Sequence, residues 1–497
     1  MRKAWAFSFA TLGVSSLVAQ VLLVRELLVV FTGNEFFIGW TLCAWLFWTA
    51  AGALWGGRLR AAVGPWLAAA LLPATLAWIR AGRLWLGGGL GAVPDLLPSM
   101  AFSFCALAPL CGVLGAQFAA GLRARRNAGG DPGGVAGRAY ALETAGFVAG
   151  GLAFSFALAA ANEFRVAGLL GLLNLAAAAA LGARRFAVAA WAALLVAVVC
   201  LDGLIDRATA AWRFPGQELV ESRDSIYGNL AVTRIGGQLN FYENGLLLGA
   251  EDDRLAAEPL VHYPMLAHPD PKQVLLIGGG FTGALGEILK HGPARVDYVE
   301  RDATLVELAK KYLAPARRAA LEDPRVNVVI ADARHFVGAP ANAPPAPLYD
   351  VVLVNLPNPG TALINRYYSR EFFRAVRRRL APGGVLAVRL AFSPDYVGNE
   401  LGNLGASIYR TLQAEFAAVV LLPDYEILYL ATAEPAPAPV AAEWIARYEA
   451  RGLATDFVVP PAIEERLETD RIGQVRGIFE AKTDVEINRD GRPIACQ

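Results

Sequence analysis

The chain has 497 residues, 55% of them hydrophobic, and a formal net charge of +1. Its length exceeds what one hydrophobic core usually serves, so we expect at least two domains. The balanced charge and the lack of a basic stripe exclude the electrostatic pattern of a nucleic-acid-binding protein. The composition changes near residue 210, because residues 1–210 carry 15 Lys+Arg and 8 Asp+Glu whereas the remainder carries 30 and 36.

Residues 1–210 predict a multi-pass α-helical membrane domain. Apolar stretches of about 20 residues, long enough to cross a bilayer as helices, recur at 6–31, 35–56, 64–80, 99–121, 138–160, 163–182 and 186–205. A cleavable signal peptide does not fit the first stretch, which is too long and is followed by six more. We therefore expect about seven helices embedded in the inner cell membrane, with the lipid bilayer as a partner.

The short loops between these stretches predict the orientation in the membrane. Basic residues accumulate on one side, at Arg2 and Lys3, Arg58 and Arg60, Arg123 to Arg138, and Arg184 and Arg185. The Lys/Arg bias predicts that this side is cytoplasmic. Seven helices would then put the second domain on the opposite face, whereas six would put it in the cytoplasm. The sequence therefore leaves the side of the second domain open.

Several polar residues fall inside the apolar stretches, namely Gln20, Arg25, Glu26, Glu143 and Asn174. Such groups are costly in hydrocarbon and usually face polar partners or a wet cavity. One interpretation is a substrate path or a lipid-headgroup site. The interpretation that we favour is that Arg25 pairs with Glu26 or Glu143 and that the network fixes helix packing.

Neither the cysteines nor the histidines have the spacing of a metal site. The five cysteines give no CxxC motif, and the four histidines are scattered through the second part of the chain. Cysteines in apolar stretches usually act as small hydrophobic residues. We therefore expect no metal cofactor.

Residues 211–432 predict a second, α/β domain. Short strand-like segments around a Gly236-Gly237 turn predict a small antiparallel sheet at 218–250. From 272 to 432, strands and helices alternate, which predicts a Rossmann-like, doubly wound and mainly parallel sheet. The helix at SREFFRAVRRRL is expected to be closed by Pro382-Gly383-Gly384. The low-complexity segment 433–441 predicts a linker to a charged helical tail at 442–497.

The most specific motif follows the apolar strand at 274–278. Gly278-x-Gly280-x-x-Gly283 opens a helix, and the next strand ends in Glu300. Glycines at these places permit a tight turn and a close approach of backbone N–H groups to a ligand. An acid at the end of the next strand can accept both hydroxyls of a ribose. The combination predicts a nucleoside-binding domain, with a dehydrogenase as the alternative.

Residues 219–432 resemble the spermidine synthase family of polyamine aminopropyltransferases. The resemblance is carried by HPDPKQVLLIGGG, YVERD, DPRVNVVIADA, YDVVLVNLPNP and YYSREFFRAVRRRLAPGG. A dehydrogenase does not explain the ADA and NLPNP segments. The whole chain resembles the membrane-fused branch of the family, in which transmembrane helices precede a Rossmann-like domain of the methyltransferase and spermidine synthase type.

The resemblance implies a donor substrate, decarboxylated S-adenosylmethionine, and a polyamine acceptor. In the family the glycine loop lies beside the donor, the acid after the second strand holds the ribose, and an Asp after the third strand contacts the adenine. The corresponding nucleoside-binding residues here are Gly278, Gly279, Gly280, Gly283, Glu300, Asp332 and Ala333, with Tyr227 from a Tyr-Gln pair that appears as Tyr227-Gly228.

The catalytic half of the family pattern is altered. The family's glycine loop reads GGGDG, with the Asp gripping the donor's amine, and Phe281 stands in that place. The family's D-x-x-D-P motif, whose first Asp is the base, is matched by Asn355 and Asn358. A Tyr-His-Glu segment is matched by Ala-Ala-Glu at 256–258, so the His is absent.

These changes leave three functional hypotheses. An attacking amine must lose a proton, and Asn has no basic site at neutral pH; Asn355 after a strand is also a common turn residue. The chain is therefore a membrane-anchored aminopropyltransferase with a rearranged site, a nucleoside-binding domain coupled to a membrane sensor, transporter or assembly unit, or a methyltransferase that uses S-adenosylmethionine. Whether it is an enzyme, and its oligomeric state, are left open by the sequence.

Overall fold

A computed structural model describes residues 2–87, 95–129, 131–158, 161–338, 347–393 and 398–494. The ends of the predicted span 138–160 and of the predicted tail 442–497 lie outside the described residues. The chain divides into two compact units. The helical unit comprises Met1–Asp224, Gly228–Thr233 and Tyr242–Leu246; the sheet unit comprises Ser225–Tyr227, Arg234–Phe241 and Leu247–Gln497.

The helices of the helical unit coincide with the predicted apolar stretches. They are α1 (Arg2–Val30), α2 (Phe36–Gly56), α3 (Val63–Arg80), α4 (Gly82–Leu86), α5 (Leu96–Asn127), α6 (Pro132–Ala153, continued by a π-helical turn Phe154–Leu158), α7 (Glu163–Ala180), α8 (Arg185–Cys200) and α9 (Asp202–Ala210). Within the described residues, six helices are long and apolar enough to cross a membrane. The stretch predicted at 186–205 is not one straight helix, because the chain bends by 70° between α8 and α9.

Small residues let the helices of this unit pack with their backbones in contact. A Cβ on Gly52 of α2 would clash with the backbone of Gly112 in α5. A Cβ on Gly13 of α1 would clash with the carbonyl of Glu143 in α6. Close packing through glycine is typical of helices that associate in lipid, where the hydrophobic effect does not drive them together.

Three buried or half-buried charges of the helical unit, Arg25, Glu26 and Arg80, form ion pairs. Arg25 lies 2.8 Å from Asp224 and 3.5 Å from Glu163. These acids differ from Glu26 and Glu143, the partners that the sequence predicts. Glu26 instead accepts from Arg80 at 2.7 Å and from Arg213 at 2.5 Å. A buried carboxylate between two guanidinium groups is compensated, whereas a buried charge without a partner is costly.

Contacts at the two ends of α1 show at which end of the helical unit Asp224 lies. Near its beginning, the Trp5 Nε1–H donates to the carbonyl of Gly121, close to the end of α5. Near its end, Arg25 contacts Asp224. Twenty residues of α-helix span about 30 Å, the thickness of a bilayer core. Within the helical unit, Asp224 therefore lies at the end opposite to the basic cluster that follows Gly121.

The strands predicted between 218 and 250 are present as β1 (Glu218–Asp224), β2 (Asn229–Ile235), β3 (Gln238–Glu243) and β4 (Leu246–Ala250), in the order β1-β2-β3-β4. Gly236 and Gly237 join β2 to β3 with φ of 56° and 89°. Two successive residues with positive φ make the tight turn that matches the twist of a hairpin.

The main sheet has seven strands, β5 (Gln273–Ile277), β6 (Arg295–Glu300), β7 (Val326–Ile330), β8 (Tyr349–Val354), β9 (Leu380–Ala391), β10 (Ala418–Leu422) and β11 (Glu426–Thr432). Their order is β10-β11-β9-β8-β5-β6-β7. The pairs among β5 to β9 are parallel, whereas β11 runs antiparallel to β9 and to β10. The predicted Rossmann-like, mainly parallel sheet is confirmed.

Helices cover this sheet, which explains the continuous apolar runs of its central strands. They are α10 (Arg254–Ala267), α11 (Ala284–Lys290), α12 (Ala303–Tyr312), α13 (Pro315–Leu321), α14 (Ala333–Gly338), α15 (Ala362–Asn365), α16 (Arg370–Arg377) and α17 (Asn399–Gln413), followed by α18 (Ala441–Ala450), α19 (Pro460–Arg466) and α20 (Thr469–Ala481). Asp302 and Ser369 accept backbone N–H groups at the starts of α12 and α16, as N-cap residues do.

The prediction that Pro382-Gly383-Gly384 closes a helix was wrong. The helix ends at Arg377, and all three residues lie inside β9, which begins at Leu380. The pairing of β8 with β9 shifts register between Tyr349 and Val351. A Cβ on Gly384 would lie 2.8 Å from the carbonyl of Tyr349. The glycine therefore serves a close strand approach at an irregularity rather than a helix end.

The segment predicted as a charged tail packs into the sheet unit. Val475 and Phe479 of α20 belong to the main hydrophobic core, with 7% and 0% of their surface exposed. The buried carboxylate of Glu258 in α10 accepts the backbone N–H groups of residues 456–458 at 2.7–3.1 Å. The last part of the chain is thus joined to the sheet by apolar contacts and by a buried acid.

Candidate nucleoside site

The carboxyl ends of β5 and β8 form the edge at which the predicted site residues gather. β5 pairs with β6 on one side and with β8 on the other, so the direction of the strand order reverses there. Ligands of open parallel sheets bind in the crevice at such a point. The antiparallel β11 stands where the dinucleotide-binding order has a parallel sixth strand, and β10 follows it at the edge. The topology therefore does not match the dehydrogenase alternative.

The glycine loop has the backbone conformation that its sequence predicts. Left-handed φ values of 75°, 61° and 101° occur at Gly278, Gly279 and Gly283, where residues with a Cβ are strained. A Cβ on Gly279 would also clash with the side-chain amide of Asn355, and one on Gly280 would lie 2.5 Å from the Tyr298 ring. The glycines are thus required by the packing of the chain itself as well as by any ligand.

Asn355 lies directly below this loop. Its backbone N–H continues the ladder to Ile277, and its side-chain Nδ2 donates to the carbonyl of Gly279 at 3.2 Å and to Thr282 Oγ1 at 3.3 Å. Only 5% of the residue is exposed. Its amide therefore acts as a hydrogen-bond donor that fixes the glycine loop to the end of β8.

Two further altered positions, Phe281 and Asn358, also have structural contacts. Phe281 is 2% exposed and its ring centroid lies 4.8 Å from that of Phe241. Asn358 uses its Oδ1 to accept the backbone N–H of Ala391 at 3.0 Å. A carboxylate could replace the acceptor of Asn358, whereas it could not replace the buried ring of Phe281 without desolvation.

Glu300 ends β6 with a buried, hydrogen-bonded carboxylate. It accepts the Tyr298 hydroxyl at 3.0 Å and the backbone N–H groups of Arg301 and Asp302 at 2.8 and 3.4 Å. Burial, together with the adjacent Glu300, holds the pKa of the Tyr298 hydroxyl well above its usual value. Tyr298 therefore stays protonated and donates. The predicted Tyr227 is close by, with its ring 5.0 Å from the Arg301 guanidinium.

Asp332, between β7 and α14, is held from three directions. One oxygen pairs with Arg366 at 2.6 Å, and the other accepts the backbone N–H of Arg334 at 2.9 Å and the Tyr367 hydroxyl at 3.3 Å. Burial raises the pKa of Tyr367 to about 12, with Arg366 opposing the rise. The adjacent Ala333 is buried as the first residue of α14.

Sequence reasoning missed Arg366, Tyr367 and Arg317. Tyr367 begins a segment that we used only for the family resemblance, and Arg366 is the residue directly before it. Arg317 of α13 pairs with Asp252, and its guanidinium occupies the space that a Cβ on Gly283 would need. No motif marks Arg317 in the sequence, because α13 packs against α11 only in the folded chain. Within the described residues, no group of three or more His, Cys, Asp or Glu could hold a metal ion.

Comparison with known proteins relates this site to one family. The spermine/spermidine synthase domain matches residues 254–426. The chain is 32% identical over 194 residues to the polyamine aminopropyltransferase of Nitrosomonas europaea, covering 38% of this chain and 58% of that protein. It is 34% identical over 260 residues to that of Mycobacterium tuberculosis, covering 49% of each. The chain thus spans about half the length of the curated relatives that it matches.

Solved spermidine synthases are structural neighbours. One, in complex with the transition-state analogue AdoDATO, has a TM-score of 0.44 and 23% identity and covers 52% of this chain and 89% of its own. The enzyme from Thermotoga maritima has a TM-score of 0.43 and 22% identity, with 53% and 88% covered. On the sequence matches, residues 254–426 of this chain are similar to the spermine/spermidine synthase domain.

Proposed function

We propose that the sheet unit binds an adenosyl thioether nucleoside of the decarboxylated S-adenosylmethionine type. The observation that carries the proposal is the buried Glu300 carboxylate, held by the Tyr298 hydroxyl and two backbone N–H groups beside the glycine loop. A fixed carboxylate at the end of the second strand is the group that accepts ribose hydroxyls in this type of sheet. Asp332 and Tyr227 then flank the nucleobase side.

Efficient aminopropyl transfer to a polyamine is not part of this proposal. Transfer needs a group that takes a proton from the attacking amine. The Asn355 side chain donates to Gly279 and Thr282 and offers no basic site. Phe281 supplies a buried ring where a carboxylate would attract an ammonium group. The family match nevertheless makes aminopropyl transfer the second candidate function, with Asn355 and Asn358 at the positions of the family's acids.

The helical unit is proposed to lie in a membrane, which would make this chain a member of the membrane-fused branch. Large apolar side chains on several helices are exposed, including Leu54 at 86%, Phe156 at 85% and Phe186 at 94%. Water disfavours such surfaces, whereas lipid accommodates them. The nucleoside-binding unit would then be coupled covalently to a membrane unit that serves as an anchor, sensor or transporter.

Calorimetry of the full-length protein in detergent tests the binding proposal. The titrants are methylthioadenosine, decarboxylated S-adenosylmethionine, S-adenosylmethionine and NAD. We expect an adenosyl thioether to bind more tightly than NAD. Tighter binding of NAD would support the dehydrogenase alternative instead. Putrescine-dependent release of methylthioadenosine, measured on the same sample, separates the two candidate functions, and robust release would establish the second.

A further inference from the structure

The last residues of the described chain, Glu486–Ile494, contact the walls of the candidate site although they lie outside the matched residues 254–426. We call them the C-terminal segment. Asn488 is fully buried, and its side-chain amide donates to Asn365 Oδ1 at 2.9 Å and to the carbonyl of Tyr368 at 3.0 Å. Its backbone carbonyl accepts from Arg370 at 2.9 Å. Asn488 therefore connects the C-terminal segment to the turn between α15 and α16.

This turn carries two contacts of Asp332. Asn365 and Tyr368 are the residues directly before and after Arg366 and Tyr367, whose side chains contact the Asp332 carboxylate. The side-chain amide of Asn488 thus binds the residues on both sides of Arg366 and Tyr367. The Tyr368 hydroxyl extends the connection, because it donates to the carbonyls of residues 356 and 357, which follow Asn355.

A second connection runs through Asp490. Its carboxylate pairs with both terminal nitrogens of Arg334, and the Nη1 distance is 2.6 Å. The same Nη1 donates to the carbonyl of Arg366 at 2.9 Å, while the backbone N–H of Arg334 donates to Asp332. Arg334 is therefore next to Asp332 in sequence and in space, but its guanidinium is directed to Asp490.

The charges of this cluster give Asp490 a specific role. Asp332 already pairs with Arg366. Without Asp490, the Arg334 guanidinium would be released beside the Asp332 carboxylate and would compete for the oxygen atoms that a nucleobase needs. The Arg334–Asp490 pair is itself partly exposed, at 25% and 36% of the side chains, and exposed ion pairs contribute little to stability. An effect of Asp490 on ligand selection is thus separable from an effect on folding.

We propose that Asn488 and Asp490 are positioning residues of the nucleoside site, and that they set its selectivity for the nucleobase. Asn488 holds Arg366 and Tyr367 against Asp332, and Asp490 keeps Arg334 away from it. The Asp332 carboxylate then presents a fixed acceptor to a base with an amino group, such as adenine. This inference rests on the proposed nucleoside binding. Recognition by fixed polar groups discriminates strongly against an analogue that cannot complete the hydrogen bond.

The test is the ratio of affinities of the full-length protein for methylthioadenosine and methylthioinosine, which carries a carbonyl in place of the amino group. We expect the wild-type protein to prefer methylthioadenosine, and Asp490→Asn and Asn488→Ala to lower the ratio about three- to tenfold. Arg489→Ala is the matched control, since that exposed side chain lies between the two. The unfolding temperature of each variant is recorded alongside.

Rescue distinguishes positioning from a general loosening of the fold. Adding Arg334→Ala to Asp490→Asn removes the competing guanidinium and should restore most of the ratio, whereas general destabilisation would not be reversed. An unchanged ratio in Asp490→Asn, or failure of the rescue, overturns the inference while leaving nucleoside binding intact. A wild-type protein that binds neither nucleoside overturns the proposed function together with this inference.

Discussion

Asn355 is the residue on which the question of catalysis depends. Its Nδ2 donates to a backbone carbonyl and to Thr282 under a loop that only glycine can form. A carboxylate at this position would place an acceptor against the carbonyl of Gly279. In the structure of this chain, therefore, Asn is matched to its surroundings and is not a simple replacement for a base.

Replacing Asn355 by Asp tests this interpretation. We expect Asn355→Asp to lower the free energy of unfolding by about 1–3 kcal/mol, because a buried acceptor loses its donor. It should release no more methylthioadenosine with putrescine than the wild-type protein. Asn358→Asp is the matched control, because its Oδ1 already accepts from Ala391 and an Asp can do the same. A rate increase of about 10²–10⁴-fold in Asn355→Asp, as for a restored general base, would contradict this account.

At the scale of elements, a buried chain of polar side chains joins α10, α11 and the end of α18. Arg451 can only donate, so His291 Nδ1 accepts from it at 2.9 Å. A neutral His291 then donates from Nε2 to His262 Nδ1 at 2.8 Å, and His262 donates from Nε2 to Glu287 at 3.0 Å. The two ends of the chain of hydrogen bonds thus determine both tautomers.

This arrangement predicts a loss of local stability in mild acid. Burial, and then the neighbouring His262, Arg451 and Lys290, lower the pKa of His291 from 6.5 to about 2. Below pH 6.5 the unfolded chain binds a proton that the folded chain does not, so stability is complete above pH 6.5 and falls as the pH falls toward 2. The slope is at most about 1.4 kcal/mol per pH unit.

Hydrogen exchange of α10 between pH 5 and 6.5, corrected for the intrinsic rate, measures this effect. His291→Gln cannot titrate and should flatten the dependence of protection on pH. His335→Gln, at an exposed position, is the control and should leave the dependence as in the wild-type protein. Equal slopes in the wild-type protein and in His291→Gln would show that His291 does not carry the effect.

The sequence predicted the elements whose signals are local. The apolar runs identify β5 and β8, because a strand that is buried on both faces accepts few polar residues. The glycines after β5 identify the turn, because few residues other than glycine adopt a positive φ. The role of Gly384 in β9 could not be predicted, since it depends on the carbonyl of Tyr349. The contacts of Asn488 and Glu258 could not be predicted for the same reason, since their partners are distant in sequence.

At the scale of the whole molecule, the ends of α1 bear on the topology that the proposed membrane location would give. Near the beginning of α1, Trp5 contacts Gly121, which is followed by the basic residues Arg123 to Arg138, here called the basic loop. Near the other end of α1, Arg25 contacts Asp224. The chain therefore leaves the helical unit at the end opposite to the basic loop. If that loop is cytoplasmic, as the Lys/Arg bias predicts, the residues after Asp224 begin on the other side of the membrane.

Cysteine labelling in intact cells tests this topology. Ala128→Cys in the basic loop and Ile226→Cys, two residues after Asp224, are both at exposed positions. We expect an impermeant maleimide to label Ile226→Cys and not Ala128→Cys, with the wild-type protein as the measure of background from native cysteines. Labelling of Ala128→Cys alone would invert the orientation. Recovery of the protein in the soluble fraction after carbonate extraction would contradict the proposed membrane location.

The most direct test of the central claim, that Glu300 holds the ribose of an adenosyl thioether, uses a protein change and a ligand change together. Calorimetry compares methylthioadenosine with its 2′-deoxy analogue on three proteins: the wild-type protein, Glu300→Ala and Tyr298→Phe. Tyr298→Phe removes the hydroxyl that donates to Glu300 but leaves the Glu300 carboxylate. We expect the wild-type protein to bind the deoxy ligand about 10- to 150-fold more weakly, the effect of a lost charge-assisted hydrogen bond of 1.5–3 kcal/mol. Glu300→Ala should bind both ligands equally and weakly. Undiminished discrimination in Glu300→Ala would contradict the account.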